Sequence, residues 1–340
     1  MKILKKLEEL FKRGMNFIKN IQEGEKVILI YDADVDGLCS AALLLSVLEK
    51  LEKKVDNTPT GFAHIEKLKT KLEKFEKIIT VDVPIDLIEK HLVSMGKDML
   101  IIDHHPGKDL NSEKVILINP RLEKPKIYQP TSYVVYKMFS GLIEEKKWVA
   151  IVGTIGDLGI DDCKDLVKIE DKKNIWKNKF GNAAVFLNSS ISILGPEKTL
   201  KILMKSKNLE EFRKNEKIVS ASKKFEIEVK KCEREFKRNL EVHDKILISE
   251  IDSKYRGICS TLATKLAMEN PENVIFIFER IGKNIKIHGR SGNKKINVGE
   301  LFKKLGIGGG HEAAGAGKIK VGSKEEIKIM ILEKLKTIYS

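Results

Sequence analysis

Between Val27 and about Asp157, short unbroken apolar runs alternate with segments whose apolar residues recur at helical spacing. The runs are VILIYD, KIITVDV, MLIIDHH and VILIN, and the helical segments are CSAALLLSVLEKLEKK, PIDLIEKHLVSM and SYVVYKMFSGLIEE. Strands that are apolar on both sides and separated by helices predict βαβ units and a parallel sheet covered on both faces. The N-terminal segment MKILKKLEELFKRGMNFIKNI carries its apolar positions at helical spacing, with Lys and Glu mixed through it.

From about Lys201 to Leu240 the pattern becomes helical, polar and rich in Lys and Glu, which reads as a solvated connecting helix rather than a nucleic-acid arm because acidic residues are interleaved throughout. A second α/β unit follows: KILISEI, a helix around GICSTLATKLAMEN, VIFIFERI, NIKIHGRSG, GELFKKLG and a terminal helix. The expected division is therefore a parallel-sheet domain with its N-terminal helix over residues 1–200, a helical linker over 201–243, and a smaller α/β domain over 244–340.

Composition narrows the class. At 340 residues, 42% apolar and 33% charged, the chain has the makings of about two globular domains. A net charge of +14 suits a polyanionic partner, but Lys and Glu are both abundant and Gln occurs only at Gln22 and Gln129, which equally suits a thermophile surface of ion pairs. Cys39, Cys163, Cys232 and Cys259 are widely spaced, which excludes a CxxC zinc site and a disulfide framework. The N-terminus lacks the unbroken apolar core of a signal peptide, and no stretch is apolar over the about eighteen residues of a membrane span, so a cytoplasmic location is expected.

The chemistry gathers where apolar runs end. VILIYDADVDG supplies Asp32, Asp34 and Asp36, IITVDVP supplies Asp82, and LIIDHHPG supplies Asp103, His104 and His105. The carboxyl ends of parallel strands line the ligand crevice, so these residues are expected to converge. Asp157, in GTIGDLG, follows a glycine-bearing segment able to approach the same place. A single Asp after a strand is usually a cap or turn former; four such clusters in one domain are not explained that way. Oxygen ligands with imidazole and no thiolate suit Mn²⁺ or Mg²⁺, and divalent charge turns mutually repelling carboxylates into a favourable set. A pair of such ions is the arrangement for cleaving phosphate esters.

In the second unit, Arg290 and Ser291 end IHGRS, and Gly308, Gly309, Gly310 and His311 follow in GIGGGHEAAGAG. Glycine backbone amides, an Arg fork and a His donor together suit a phosphate. His64, His91 and His243 have no such company and read as ordinary histidines, while His288 is open between a site near Arg290 and simple alternation on its strand.

In this order, DADVDG, VDVP, DHH, GTIGD, RS and GGGHEAAGAG resemble the DHH phosphoesterase family with a DHHA1-type C-terminal domain, over about residues 25 to 320. The resemblance implies a manganese-preferring phosphodiesterase with its active site in a cleft between two lobes. It implies that Asp34 and Asp36 each hold one of two divalent cations, that Asp82 bridges them, and that His104 and Asp157 complete the ligands of the second cation. It also makes His105, with Asp103, the acid/base or substrate-side pair, and gives Arg290, Ser291, Gly308, Gly309, Gly310 and His311 the phosphate and terminal nucleotide.

Many small-substrate members carry a histidine four residues before the first motif aspartate, where this chain has Ile30; Asp32 precedes Asp34 instead, as in the RecJ-like branch. The expected activity is thus release of mononucleotides from an end of single-stranded DNA or RNA, with a place in DNA repair. Two alternatives stand beside it. One is a phosphoesterase of short oligonucleotides, cyclic dinucleotides or nucleotide bisphosphates; the other is a scaffold of the Cdc45-like kind binding replication or repair proteins.

Overall fold

The computed structural model describes residues 2–60, 65–110, 112–169, 172–292, 296–310 and 312–339, so His64 and His311 lie outside the described residues. The chain divides into two compact units, Met1–Ser222 and Lys223–Ser340. No helix among the described residues is long and apolar enough to cross a membrane.

The first unit holds strands β1 (Val27–Asp32), β2 (Asp56–Thr60), β3 (Lys77–Val81), β4 (Asp98–Ile102) and β5 (Val115–Ile118) in one sheet of order β2-β1-β3-β4-β5, parallel throughout. Its helices are α1 (Lys2–Lys19), α2 (Val35–Lys50), α3 (Ile65–Leu72), α4 (Ile85–His91), α5 (Pro120–Glu123), α6 (Thr131–Ile143), α7 (Lys147–Gly156), α8 (Lys179–Leu194), α9 (Pro196–Lys205) and α10 (Leu209–Lys214).

Alternation along the strands builds a core on each face, because successive side chains point to opposite sides. Leu29, Tyr31, Ile79, Val81, Leu100 and Ile102 pack with α2, α6 and α7, while Ile28, Ile30, Ile78, Met99 and Ile101 pack with α3 and α4. β2 has the sequence DNTPT and no apolar run. It occupies the sheet edge, where a proline that donates no hydrogen bond is tolerated.

The segment from Lys201 is not one connecting helix. It contains the end of α9, then α10, then α11 (Glu216–Arg238), inside which the boundary between the units falls.

The second unit holds β6 (Glu241–His243), β7 (Ile246–Ile251), β8 (Val274–Ile281), β9 (Asn284–Ser291), β10 (Gly308–Gly310) and β11 (Ala314–Lys320) in a mixed sheet of order β10-β11-β9-β8-β7-β6. Among the described residues of this unit, β7 and β8 alone pair in parallel. Helices α13 (Val298–Lys304) and α14 (Lys324–Tyr339) supply Val298, Phe302, Ile331 and Leu335 to a core with Phe276, Phe278, Ile285 and Ile287. Helix α12 (Ile258–Glu269) contacts β8 and β9.

Candidate metal centre

β1 ends at Asp32, and the chain turns at once into α2. Asp32 Oδ1 accepts from the Ala33 amide at 2.8 Å, and Asp34 is the N-cap of α2, its Oδ1 accepting from the Gly37 amide at 2.9 Å. Asp36 lies a step further, inside the first helical turn. Gly37 makes the turn feasible: a Cβ there would sit 2.4 Å from the Asp32 carbonyl oxygen.

Asp36 is buried, and its carboxylate caps another helix. Oδ2 accepts from the Thr131 amide at 2.6 Å, and Oδ1 accepts from the Ser132 amide at 3.1 Å and from the Ser132 hydroxyl. The residue at the N-cap of α6 is Pro130, which has no side-chain acceptor, so Asp36 takes over two amides that the helix leaves unpaired.

Asp82 follows β3 with φ +61°, the left-handed region that Asp tolerates better than most side chains. Its amide donates to the Ile102 carbonyl at 3.0 Å, extending the β3–β4 ladder, and its Oδ1 accepts from the Thr131 hydroxyl at 2.9 Å. His104, 2% exposed, places Nε2 3.4 Å from Asp82 Oδ1 and 3.5 Å from Asp157 Oδ2. Asp157 is the C-cap of α7, and the Tyr128 hydroxyl donates to its Oδ2 at 2.8 Å. The approach of α7 to α2 depends on Gly156, where a Cβ would lie 2.3 Å from Val35 Cγ1.

His105 pairs with Asp103, Nδ1 to Oδ1 at 2.7 Å, and Asn119 Nδ2 donates to the His105 carbonyl at 2.9 Å, holding the turn between them. Burial alone would lower the His105 pKa; the charge and hydrogen bond of Asp103 outweigh it and raise it to about 10.

Two sets of ligand atoms lie within 4.8 Å of one another, Asp82 with His104 and His105, and Asp36 with His104 and Asp157. Asp34, exposed, and Asp32, half-buried, stand outside both sets, but their charges add to the field at Asp82. Burial first, and the neighbouring carboxylates after it, raise Asp36 to about 8, Asp157 to about 6, and Asp82 well above the ordinary carboxylate value.

Among the described residues no lysine or arginine pairs with Asp36, Asp82 or Asp157. An oxygen-rich set with imidazole, no thiolate and no lysine or arginine fits a divalent ion of the Mn²⁺ or Mg²⁺ type. His104 Nε2 is the nitrogen that faces Asp82 and Asp157, and it would be the ligand atom there.

The second unit encloses Arg290 at the end of β9. Its Nε donates to Thr264 Oγ1 at 3.0 Å, Nη2 to Ser260 Oγ at 2.7 Å, and Nη1 to the Gly289 and Gly315 carbonyls at 2.8 and 3.3 Å. Burial pushes its pKa down to about 10. Ser291 is buried beside it. Gly308, Gly309 and Gly310 form β10, the edge strand next to β11. His288 belongs to neither group; its Nε2 lies 2.8 Å from Glu279 Oε2, and the Ser253 hydroxyl donates to the other Glu279 oxygen.

Tyr128, Thr131, Ser132, Asn119, Ser260 and Thr264 belong to none of the motifs in the sequence. Only Thr131 and Ser132 carry a local signal, as hydroxyl residues opening an apolar helical run, and that signal says helix start, not site.

Residues 26–158 match the N-terminal domain of the DHH family, and residues 243–337 match the DHHA1 domain. Over 171 residues, 46% of the chain, the sequence is 29% identical to the single-stranded-DNA-specific exonuclease RecJ of Bacillus subtilis (strain 168), covering 21% of that protein. The fold matches RecJ from Thermus thermophilus in complex with Mn²⁺ with a TM-score of 0.76 at 16% identity, over 96% of this chain and 54% of that one. It matches an exonuclease RecJ bound to manganese with a TM-score of 0.69 at 17% identity, over 96% and 94%. The chain thus spans about a fifth of the Bacillus protein and about half of the Thermus one. With both domain types in order along it, the chain belongs to the DHH family.

Proposed function

We propose that the chain is a divalent-metal-dependent phosphodiesterase that removes mononucleotides from an end of single-stranded DNA or RNA. The convergence of Asp36, Asp82, His104 and Asp157 in a buried, carboxylate-crowded cluster carries this reading. In it, Asp34, Asp36, Asp82, His104 and Asp157 hold two cations, Mn²⁺ in preference to Mg²⁺, with Asp32 adding negative charge beside them. Bound there, such ions supply positive charge to a phosphoryl oxygen and acidity to a water.

The chain's own groups do the rest. Thr131 and Ser132 fix the Asp36 carboxylate, and Thr131 and Tyr128 fix those of Asp82 and Asp157. Asp103 keeps His105 protonated at the other ring nitrogen, so that as water attacks phosphorus and the ester P–O bond breaks, His105 gives its proton to the leaving oxygen. Arg290, Ser291, the Gly308–Gly310 backbone and His311 hold a phosphate of the substrate.

End-labelled DNA and RNA oligonucleotides of several lengths, down to a dinucleotide, test the reading. With Mn²⁺ they should shorten to mononucleotides; with EDTA, or in Asp82→Asn, they should not. Oligomers left intact at every length, or undiminished cleavage by Asp82→Asn, would overturn it. A rate highest on the dinucleotide would reassign the activity to short substrates.

A further inference from the structure

One face of the second unit's sheet is basic along β9 and β11. β9 puts Lys286 and Arg290 on it at alternate positions, and antiparallel β11 sets Lys318 opposite Lys286, Ala316 opposite His288 and Lys320 opposite Asn284. Directly opposed residues share a face. The reverse face is filled by Ile285, Ile287 and Ile319 in the core with α13 and α14.

Lysines placed opposite one another across an antiparallel pair destabilise the sheet unless an anion lies between them. Lys286 is half-buried, and burial, with the charges of Arg256 and Arg290 added, holds its pKa below the usual lysine value. The acidic residue opposite it, Glu279, is committed to His288 and Ser253.

Among the described residues, Lys286, Lys318 and Lys320 have no carboxylate within ion-pair distance. Other lysines of this unit are paired, among them Lys265 with Glu233 and Lys324 with Glu250, at 2.6 and 2.8 Å. Beside the basic row the sheet is bare: Ala316 lies opposite Gly309, and a Cβ at Gly309 would meet nothing within 4 Å.

We propose that Lys286, Lys318 and Lys320 extend the Arg290 site into a track that holds successive backbone phosphates of one nucleic-acid strand. The proposal rests on the phosphodiesterase reading and makes its substrate a strand and not a dinucleotide. Lys318 and Lys320 stand roughly 7 Å apart at alternate strand positions. The row crosses paired strands instead of following a free edge, so a peptide cannot join the sheet there through its backbone, whereas a polyphosphate strand needs only the charges.

The test is binding of the full chain to a labelled single-stranded oligonucleotide, read by fluorescence anisotropy in EDTA over a range of salt. Each phosphate contact contributes about 0.7 to the slope of log K against log salt for a single strand, so the double variant Lys318→Gln, Lys320→Gln should flatten it by about 1.4 and adding Lys286→Gln by about 2. The double variant alters exposed positions only and so does not depend on the fold tolerating a change at Lys286. An unchanged slope, or an equal loss in the matched control Lys303→Gln, Lys304→Gln on α13, would overturn the track. So would displacement by polyglutamate as effective as by unlabelled strand, which would assign the face to an acidic protein. The measurement needs no cleavage. Binding with the expected slope but no cutting would remove the phosphodiesterase reading and keep the track, while strand cutting with lysine-independent affinity would do the reverse.

Discussion

Asp36 accepts the backbone amide of Ser132, 96 residues further along the chain, at 3.1 Å, so one carboxylate both enters the metal-ligand cluster and caps the helix that supplies its support. The two duties can be separated. Asp36→Ala leaves the Thr131 and Ser132 amides buried without an acceptor, a loss of about 1–3 kcal/mol for each unsatisfied group. Ser132→Ala removes one donor to Asp36 and keeps the acceptor, costing about 1 kcal/mol. Asp36→Ala should therefore lose both thermal stability and cleavage, and Ser132→Ala should lose a little stability and keep most cleavage. Equal cleavage by the two variants would show that Asp36 serves only as a cap.

Chelation should destabilise the protein near neutral pH. A ligand at about a hundred times its Kd stabilises by roughly 2.7 kcal/mol, and about 1 kcal/mol moves Tm by roughly 2–4 °C in a domain of this size, so Mn²⁺ should raise Tm by about 5–10 °C over EDTA. The sign of the pH dependence follows from the carboxylates. Burial raises folded Asp36 to about 8 and Asp157 to about 6, above the unfolded value, so without metal the folded state holds extra protons and its stability falls as pH rises through that range. Metal must displace those protons, so the Mn²⁺ gain should be large at about pH 8 and small at about pH 5. Thermal melts at both pH values, with Asp82→Asn showing no gain, check this; an equal gain in Asp82→Asn would place the binding elsewhere.

His105 owes its proton to Asp103, and the consequence should appear in the leaving group. General-acid catalysis contributes about 10²- to 10⁴-fold where the departing oxygen is basic. His105→Ala should slow hydrolysis of an oligonucleotide by about that factor and hydrolysis of a p-nitrophenyl phosphodiester, whose leaving group needs no proton, far less. Asp103→Asn should show the same selectivity in milder form. Equal losses on both substrates would mean that His105 acts in holding metal or substrate instead.

These residues were not equally legible in the sequence. β1, β3, β4 and β5 announce themselves as apolar runs because both faces of the sheet are covered, and Asp32, Asp82 and His104 follow directly from where the runs stop. β2 is silent, since DNTPT pairs on one side only and carries a proline. β10 and β11, GGG and AGAGKIK, look like a glycine-rich loop, yet a Cβ at Gly308 would lie 2.0 Å from the Ala316 carbonyl oxygen, so the close pairing itself demands glycine. Asp157 is reached through helix packing at Gly156, and Thr131 and Ser132 act on aspartates 49 to 96 residues away in sequence. Local pattern reports backbone period and strand ends; it does not report which distant side chains share a hydrogen bond.

Arg290 offers the clearest separation of structural from substrate roles. Its fork is satisfied by two hydroxyls and two carbonyls, all neutral, so the buried guanidinium carries a charge that no carboxylate among the described residues balances. The four hydrogen bonds that Arg290→Met removes are offset by release from the cost of a buried charge without a carboxylate partner. Arg290→Met should accordingly keep Tm close to that of the parent while raising KM for an oligonucleotide. A lost charge-assisted contact is worth about 1.5–3 kcal/mol, so KM should rise by roughly 10- to 150-fold with kcat less affected. Arg290→Lys retains charge but not the planar fork that Ser260 and Thr264 orient, and should recover only part of the affinity. Steady-state kinetics on one oligonucleotide, with melts alongside, decide the matter: a collapse of Tm with KM unchanged in the folded fraction would make Arg290 a structural residue of α12 and β9.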